Sequence, residues 1–280
     1  MPRKEKKDSY LFDEDNYINY IEFAKSTGLP FTIKQSNYTC ELITSYRKPI
    51  KFLMNMQSPR VFQISKLIEK DIQKTGIPKP EIDRENLQYF KFSVPERYKA
   101  AGATVYNVDI KSAYATLLFV NKIITRKTFA ILSKLEKADR LASVGMLASR
   151  KNIFIYQGDE VKSFTKEESP FANWFYYCVH GIGEIMTEAA RLIGSDFICF
   201  WVDGIYCEQK DNADLLQAFF KDKGFLTSCD TLNNFHVVES AKKHKLYFSK
   251  DGQEKYLTVP KPSNKVTQEV IKLMGLHSAK

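Results

Sequence analysis

Asp109, in VYNVDIKSAYATLL, and Asp203, in FICFWVDGIYC, each stand at the edge of a short apolar run. A carboxylate at a strand end offers hard oxygens to solvent and substrate. Two of them brought together bind Mg²⁺ and leave coordination positions for phosphate oxygens. Two such ions, about 3.5–4 Å apart, activate an attacking hydroxyl and stabilise a leaving group in phosphoryl transfer. Taken singly, each aspartate has a plainer role: Asp109 begins a turn, and Asp203-Gly204 is a hairpin corner. The chemistry requires that their two strands be neighbours.

The elements that must position them follow from periodicity and turn chemistry. NYINYIEFAKSTG reads as a short helix closed by Gly28, and PFTIKQSNYTCELITS as a β-pair. Val61, Ile64, Leu67, Ile68 and Ile72 form a helical stripe between Ser58, a cap, and Gly76. IPKPEIDREN is a proline-rich connection. YFKFSV and ATVYNVDI read as strands. SAYATLLFVNKI turns helical or loops outward, and one or two helices follow before the strand NIFIYQG. From Phe171 to Ile193 the apolar positions keep a helical period, ended by Gly194. DFICFWVDGIYCEQ predicts a hairpin folded at Asp203-Gly204. ADLLQAFFKDKG predicts a helix, and FHVVESAKKHKLYFSKDGQEKYLTV further strands around a Lys-Asp-Gly turn. This order predicts an α+β fold, an antiparallel sheet backed by helices. The expected organisation is a small α/β module of unread role over 1–87, a main domain over 88–260 with a helical segment at about 119–150, and a basic tail or short helix over 261–280.

Composition narrows the function classes. The chain has 280 residues, 44% of them hydrophobic and 13% aromatic, which suits a folded globule. No apolar run approaches the roughly 18 residues of a membrane span. The N-terminus lacks the apolar core of a secretory signal, so a cytoplasmic protein is expected. Five cysteines and four histidines form no zinc-ligand spacing, and reduced, mostly buried thiols are expected. The net charge is +9. Residues 241–280 hold nine lysines against Asp251, Glu254 and Glu269. Such a region is either a footprint for a polyphosphate partner or a solvated lysine-rich surface.

Asp109-Ile110-Lys111-Ser112-Ala113-Tyr114 resembles the D-x-x-S-L-Y of motif A in family B DNA polymerases. VDGIYC resembles the end of their motif C, Y-G-D-T-D-S. Between them, the stretch from Lys137 to Gly145 keeps the Lys-to-Gly spacing of motif B, and Lys245-Leu246-Tyr247 resembles the K-x-Y element beyond motif C. The resemblance covers about residues 100–260. It implies a reduced polymerase palm with a helical fingers segment. It also implies Mg²⁺ as cofactor (two ions, with Mn²⁺ a substitute), dNTPs and a DNA primer–template as partners, and accessory replication proteins as candidates. By the same resemblance, Asp109 and Asp203 are the catalytic metal ligands, joined by the carbonyl of Ile110. Backbone amides of Ser112, Ala113 and Tyr114 cradle the triphosphate, and Tyr114 excludes a 2′-hydroxyl. Lys137 neutralises phosphate charge, with Arg126 and Lys134 as further candidates, and Gly145 lets the nascent base pair approach. Gly204, in place of the family's serine, and Lys245 and Tyr247 contact nucleic acid.

The chain departs from that pattern at several points. Trp201 occupies the place of the first motif C aspartate. Motif B lacks its Asn-Ser-x-Tyr core. The stretch between Asp109 and Lys137 is short for fingers, and no acidic exonuclease motif precedes Asp109, so no proofreading is expected. Four functions remain open on sequence. They are a short-tract DNA polymerase, a primase or template-independent nucleotidyltransferase, a palm without catalysis that binds DNA, and an unrelated α+β protein. Economy of size suggests a virus or mobile element, with a host cytoplasmic setting.

Overall fold

The computed structural model describes residues 8–11, 14–36, 39–53, 59–87, 90–92, 96–100, 102–239 and 243–260. The elements begin with β1 (Asp8–Leu11), α1 (Glu14–Ser26), β2 (Pro30–Gln35), β3 (Thr39–Thr44), β4 (Ile50–Leu53) and α2 (Pro59–Thr75). They continue with β5 (Phe90–Phe92), β6 (Ala103–Ile110), α3 (Ala113–Val120), α4 (Arg126–Ser133), α5 (Lys137–Gly145), β7 (Arg150–Gln157) and β8 (Glu160–Glu168). The last are α6 (Ala172–Ile193), β9 (Phe197–Trp201), β10 (Gly204–Cys207), α7 (Lys210–Asp222), β11 (Thr227–Glu239), β12 (Lys243–Lys250) and β13 (Gln253–Pro260). The fold is α+β, with the strands in two sheets.

The chain divides into two compact units. One gathers Met1–Lys74 with Leu135–Phe175, the other Thr75–Lys134 with Tyr176–Lys280. This differs from the expected linear boundary at 87/88, and the reason is a long-range strand pair. β7 pairs antiparallel with β2, Phe31 opposite Tyr156 and Ile33 opposite Phe154. Their rings complete an apolar cluster with Cys40, Leu42, Ile50 and Phe52, covered by Tyr17, Tyr20 and Ile21 of α1. Local periodicity marks β7 as a strand but carries no address for its partner. The expected helical segment at 119–150 is likewise divided: α4 falls in the second unit and α5 in the first.

In the first unit the sheet order is β1-β4-β3-β2-β7-β8. All its pairs are antiparallel except β1–β4, which is parallel. β8 was not legible as a strand because its sequence, EVKSFTKEE, is exposed on both faces up to Glu167 and so has no apolar alternation. α1 ends as expected, with Gly28 at φ 66°. The predicted cap at Ser58 and the tail at 261–280 lie outside the described residues.

In the second unit the sheet order is β13-β12-β11-β6-β10-β9-β5, antiparallel throughout. Side chains alternate between its faces. On one face Val105, Tyr206, Leu232, Phe235, Val237, Leu246 and Val259 form a buried core with Tyr98. α7 lies against β6, β10 and β11 and buries Ala213, Leu216 and Phe220 at helical spacing. Its start is held by a buried acid. Asp196 accepts hydrogen bonds from the Glu208 and Gln209 amides, at 3.2 Å each, and from Asn212 Nδ2 at 2.9 Å. Among the described residues no helix is long and apolar enough to cross a membrane.

Candidate functional site

β6 lies at the middle of the second sheet, between β10 and β11, so Asp109 near its end has a strand on each side. Gly204 of β10 and Ser228 of β11 stand directly opposite it. The expected hairpin forms, with a shifted corner. Trp201 pairs with Gly204, so the two loop residues are Val202 and Asp203, not Asp203 and Gly204. Val202 carries the positive φ, 54°. A first loop residue with φ > 0 ordinarily calls for glycine. In this hairpin the glycine comes two positions later and serves the strand instead. A Cβ on Gly204 would lie 3.1 Å from Asn107 Oδ1 and 3.4 Å from Asp109 Oδ1.

Asp203 is tied to the same strand end. The Ile110 amide donates to the Asp203 carbonyl at 2.8 Å. Beyond Ile110, the Lys111 amide donates to the Leu226 carbonyl at 2.8 Å. Ser112 then takes a left-handed conformation, φ 57°, and α3 begins at Ala113. A strand, one left-handed residue and a helix start make a backbone bend of the kind that suits anions. Tyr114, in the first turn of α3, is pushed well above the usual tyrosine range by burial and then by the Asp203 charge.

Register adds residues that the sequence did not single out. Asp109, Asn107, Tyr206, Ser228 and Asp230 all project from one face, because Tyr206 and Asp230 flank Asn107 on its two neighbouring strands. Asp230 accepts from Lys250 Nζ at 2.6 Å. That hydrogen bond raises the Lys250 ammonium above the usual lysine range, with Asp109 a smaller contributor. Burial raises the Tyr206 hydroxyl far above the tyrosine range. The nearby Cys199, Asp109, Asp230 and Asp203 add to it in that order. One phenol thus feels three carboxylates from three segments of chain. Asn107 Oδ1 is buried and has no hydrogen-bond partner among the described residues. Asp230 lies in TSCDTLNN, a stretch with no clean apolar alternation and no turn signal, so no local pattern marked it.

The other expected residues lie on other elements. Arg126 opens α4, capped by Thr125, whose Oγ1 accepts from the Thr128 amide, and Lys134 closes it; both are exposed. Lys137 and Gly145 are the first and last residues of α5 and belong to the first unit, whereas both aspartates belong to the second. Gly145 has φ −59°, and a Cβ there would meet nothing within 4 Å. Lys245 and Tyr247 lie on β12 with Lys250 but at odd positions relative to it. Leu246 and Phe248 between them join the core. Lys245 and Tyr247 therefore project from the face opposite Asp109, Asp230 and Lys250, and the structure does not bring them to the carboxylates.

Chemically, the cluster offers hard anionic oxygens from Asp109 and Asp203, a neutral acceptor from Asn107, and a third acid already neutralised by Lys250. Among the described residues no three His, Cys, Asp or Glu side chains gather into a metal-holding group. The five cysteines are free thiols, four of them buried. The chain matches no protein-family model and no curated protein.

Proposed function

We propose that the second unit is a template-directed nucleotidyltransferase that adds deoxynucleotides to a primer 3′-hydroxyl on DNA. The observation that carries this reading is the adjacency of Asp109 and Asp203, with Gly204 opposite Asp109 and the Ile110 amide on the Asp203 carbonyl. Two carboxylates at one end of adjacent antiparallel strands, beside a helix start, suit a triphosphate with divalent cations.

The residues present fit Mg²⁺. Asp109 and Asp203 would hold it with the Ile110 carbonyl, and the unpartnered Asn107 Oδ1 adds a hard acceptor within the same cluster. When bound, the ions lower the pKa of the attacking hydroxyl and stabilise the charge that develops on the leaving pyrophosphate. The chain's own residues position and exclude. Ser112, left-handed between β6 and α3, makes a bend at which its amide and that of Ala113 would donate to phosphate oxygens. The half-buried ring of Tyr114 would exclude a ribose 2′-hydroxyl. Tyr206, held protonated by burial and three carboxylates, stands beside the carboxylates on the same face, opposite Asn107. In the reaction the 3′-hydroxyl attacks the α-phosphate in line and pyrophosphate departs, so positioning and charge neutralisation supply most of the catalysis.

The test is a gel assay with primed, unprimed and template-free DNA, each with dNTPs or NTPs and Mg²⁺ or Mn²⁺. Extension of the primed strand with dNTPs is the expected result. Product from the unprimed or template-free substrate instead assigns a primase or terminal transferase on the same carboxylates. Asp109→Asn and Asp203→Asn each lower the rate by more than about 100-fold, since even outer partners of metal ligands cost 10- to 100-fold. Unchanged incorporation in either variant overturns the site, and Mn²⁺ titration by electron paramagnetic resonance reads the same two positions without catalysis.

A further inference from the structure

The face of β11–β12–β13 turned away from the carboxylates carries a row of rings that the chemistry at Asp109 and Asp203 does not use. His236, Tyr247 and Tyr256 stand directly opposite one another on three successive strands. The His236 and Tyr247 rings are stacked, with centroids 5.1 Å apart and planes 10° from parallel. Tyr247 and Tyr256 follow at 5.7 Å and 38°. The column ends at β13, the edge strand, where Tyr256 is 62% exposed. Lys245 Nζ lies 5.2 Å from the centre of the Tyr256 ring. Lys243 shares that face by strand alternation and is exposed.

Cross-strand aromatic pairs stabilise a sheet edge modestly. That function is served by the His236–Tyr247 pair and leaves the outermost ring in water. An exposed tyrosine that continues the stacked His236–Tyr247 pair at a tilt, with the Lys245 ammonium over its ring, has the two components of single-strand recognition. Flat π-faces accept bases of any sequence, and cations follow the phosphates. The acid on the same face, Glu254, sits at the far end of the hairpin, beside the Asp251-Gly252 turn. We propose that this ladder is a binding site for single-stranded nucleic acid, with a base stacked on Tyr256 and the adjoining phosphate on Lys245. The site is separate from the carboxylates and on the opposite face of the sheet from them.

Fluorescence anisotropy tests it, using the full chain in EDTA and a labelled single-stranded DNA of about 12 nucleotides. A second probe is the same strand with abasic sugars. EDTA removes any dependence on divalent ions, so the result is independent of whether Asp109 and Asp203 perform nucleotidyl transfer. Tyr256→Ala is expected to weaken the base-bearing strand between about fivefold and 150-fold, the range for losing one aromatic–base stack. Tyr256→Phe retains binding, and the abasic strand binds the parent and Tyr256→Ala alike. Lys245→Ala flattens the salt dependence for both strands. Parent-like binding of the base-bearing strand by Tyr256→Ala overturns the proposal. So does an equal loss for the abasic strand, which would reduce the site to a phosphate contact. Thermal unfolding of each variant, with melting within a few degrees of the parent, separates lost contact from lost fold.

Discussion

Gly204 faces Asp109 across the β6–β10 ladder so closely that a Cβ on Gly204 would come within 3.4 Å of the Asp109 carboxylate. The same atom would come within 3.1 Å of Asn107 Oδ1. Both contacts are tight, and both involve acceptors that lie in the carboxylate cluster. Gly204→Ala therefore displaces the site more than it harms the fold. The expected result is a drop in incorporation of about tenfold or more, since small misplacements at a reacting centre are costly. The stability loss stays near 1 kcal/mol. Primer extension measured alongside thermal unfolding separates the two. A variant that melts early but turns over normally would make Gly204 a packing residue only.

The same glycine explains an oddity at the neighbouring turn. Val202 is β-branched yet sits at φ 54°, a conformation that costs an ordinary residue about 1–2 kcal/mol. The chain cannot move its glycine to that position without losing the one opposite Asp109. Val202→Gly, with Gly204 kept, relieves the strain at some cost in unfolded-state entropy. A net stabilisation of about 0.5–1 kcal/mol is expected in denaturant unfolding.

Much of the fold was legible from sequence, and the pattern of what was not has a physical cause. α1, α2, α6 and α7 carry apolar stripes with glycine just beyond, and the β12–β13 hairpin turns on Asp251 and Gly252, both at positive φ. Those signals are local. The pairing of β7 with β2 is not, so the units cross the linear boundary expected at 87/88, and Lys137 and Gly145, joined to Asp109 by their resemblance to motif B, fall in the other unit. The strand edge at Asp109 and the Asp203-Gly204 pair are written locally. Asp230, Lys250 and Tyr206 join them only through register, which no window of sequence contains. Lys245 and Tyr247 lie on the other face, since a one-residue step along a strand changes the face.

Tyr114 gives a prediction about substrate sugar. Its ring is half-buried in the first turn of α3 and its hydroxyl feels Asp203. Removing the ring opens space without removing a carboxylate. Tyr114→Ala is expected to raise the rNTP-to-dNTP incorporation ratio by about 10- to 100-fold, the scale on which pocket shape discriminates small groups. Single-nucleotide extension with matched dNTP and rNTP measures it, and unchanged sugar preference would take Tyr114 out of that role.

Asp196 is buried and holds two backbone amides and Asn212 at the start of α7. α7 in turn packs on β6 and β10, the strands that carry the site. Asp196→Ala leaves those three donors, exposed or half-buried, to water, so each costs less than the about 1–3 kcal/mol of a buried orphan. A loss of about 2–4 kcal/mol in urea unfolding is expected, with Asp196→Asn recovering part of it through its amide oxygen. Since α7 braces the site from behind, any activity lost in Asp196→Ala should return when stability is restored by cooling.

The buried thiols predict how stability changes in alkali. Burial pushes Cys207 up from 9.0 to about 12, with Asp196 adding to it, and raises Cys178 and Cys199 further. An acid group whose pKa is raised on folding keeps its proton in the native state and loses it more readily when unfolded. The unfolded chain thus releases protons first as pH rises above about 9, and folding stability falls from there through about pH 12. Below pH 8 these groups contribute no slope. The corresponding chemical readout is slow reaction with a thiol reagent at pH 8 for Cys178, Cys199 and Cys207, with Cys229, the least buried of the five, reacting first. Addition of denaturant should release the rest together. Rapid labelling of all five thiols in the native protein would contradict the packing around β9 and β10, and with it the support on which Asp203 rests.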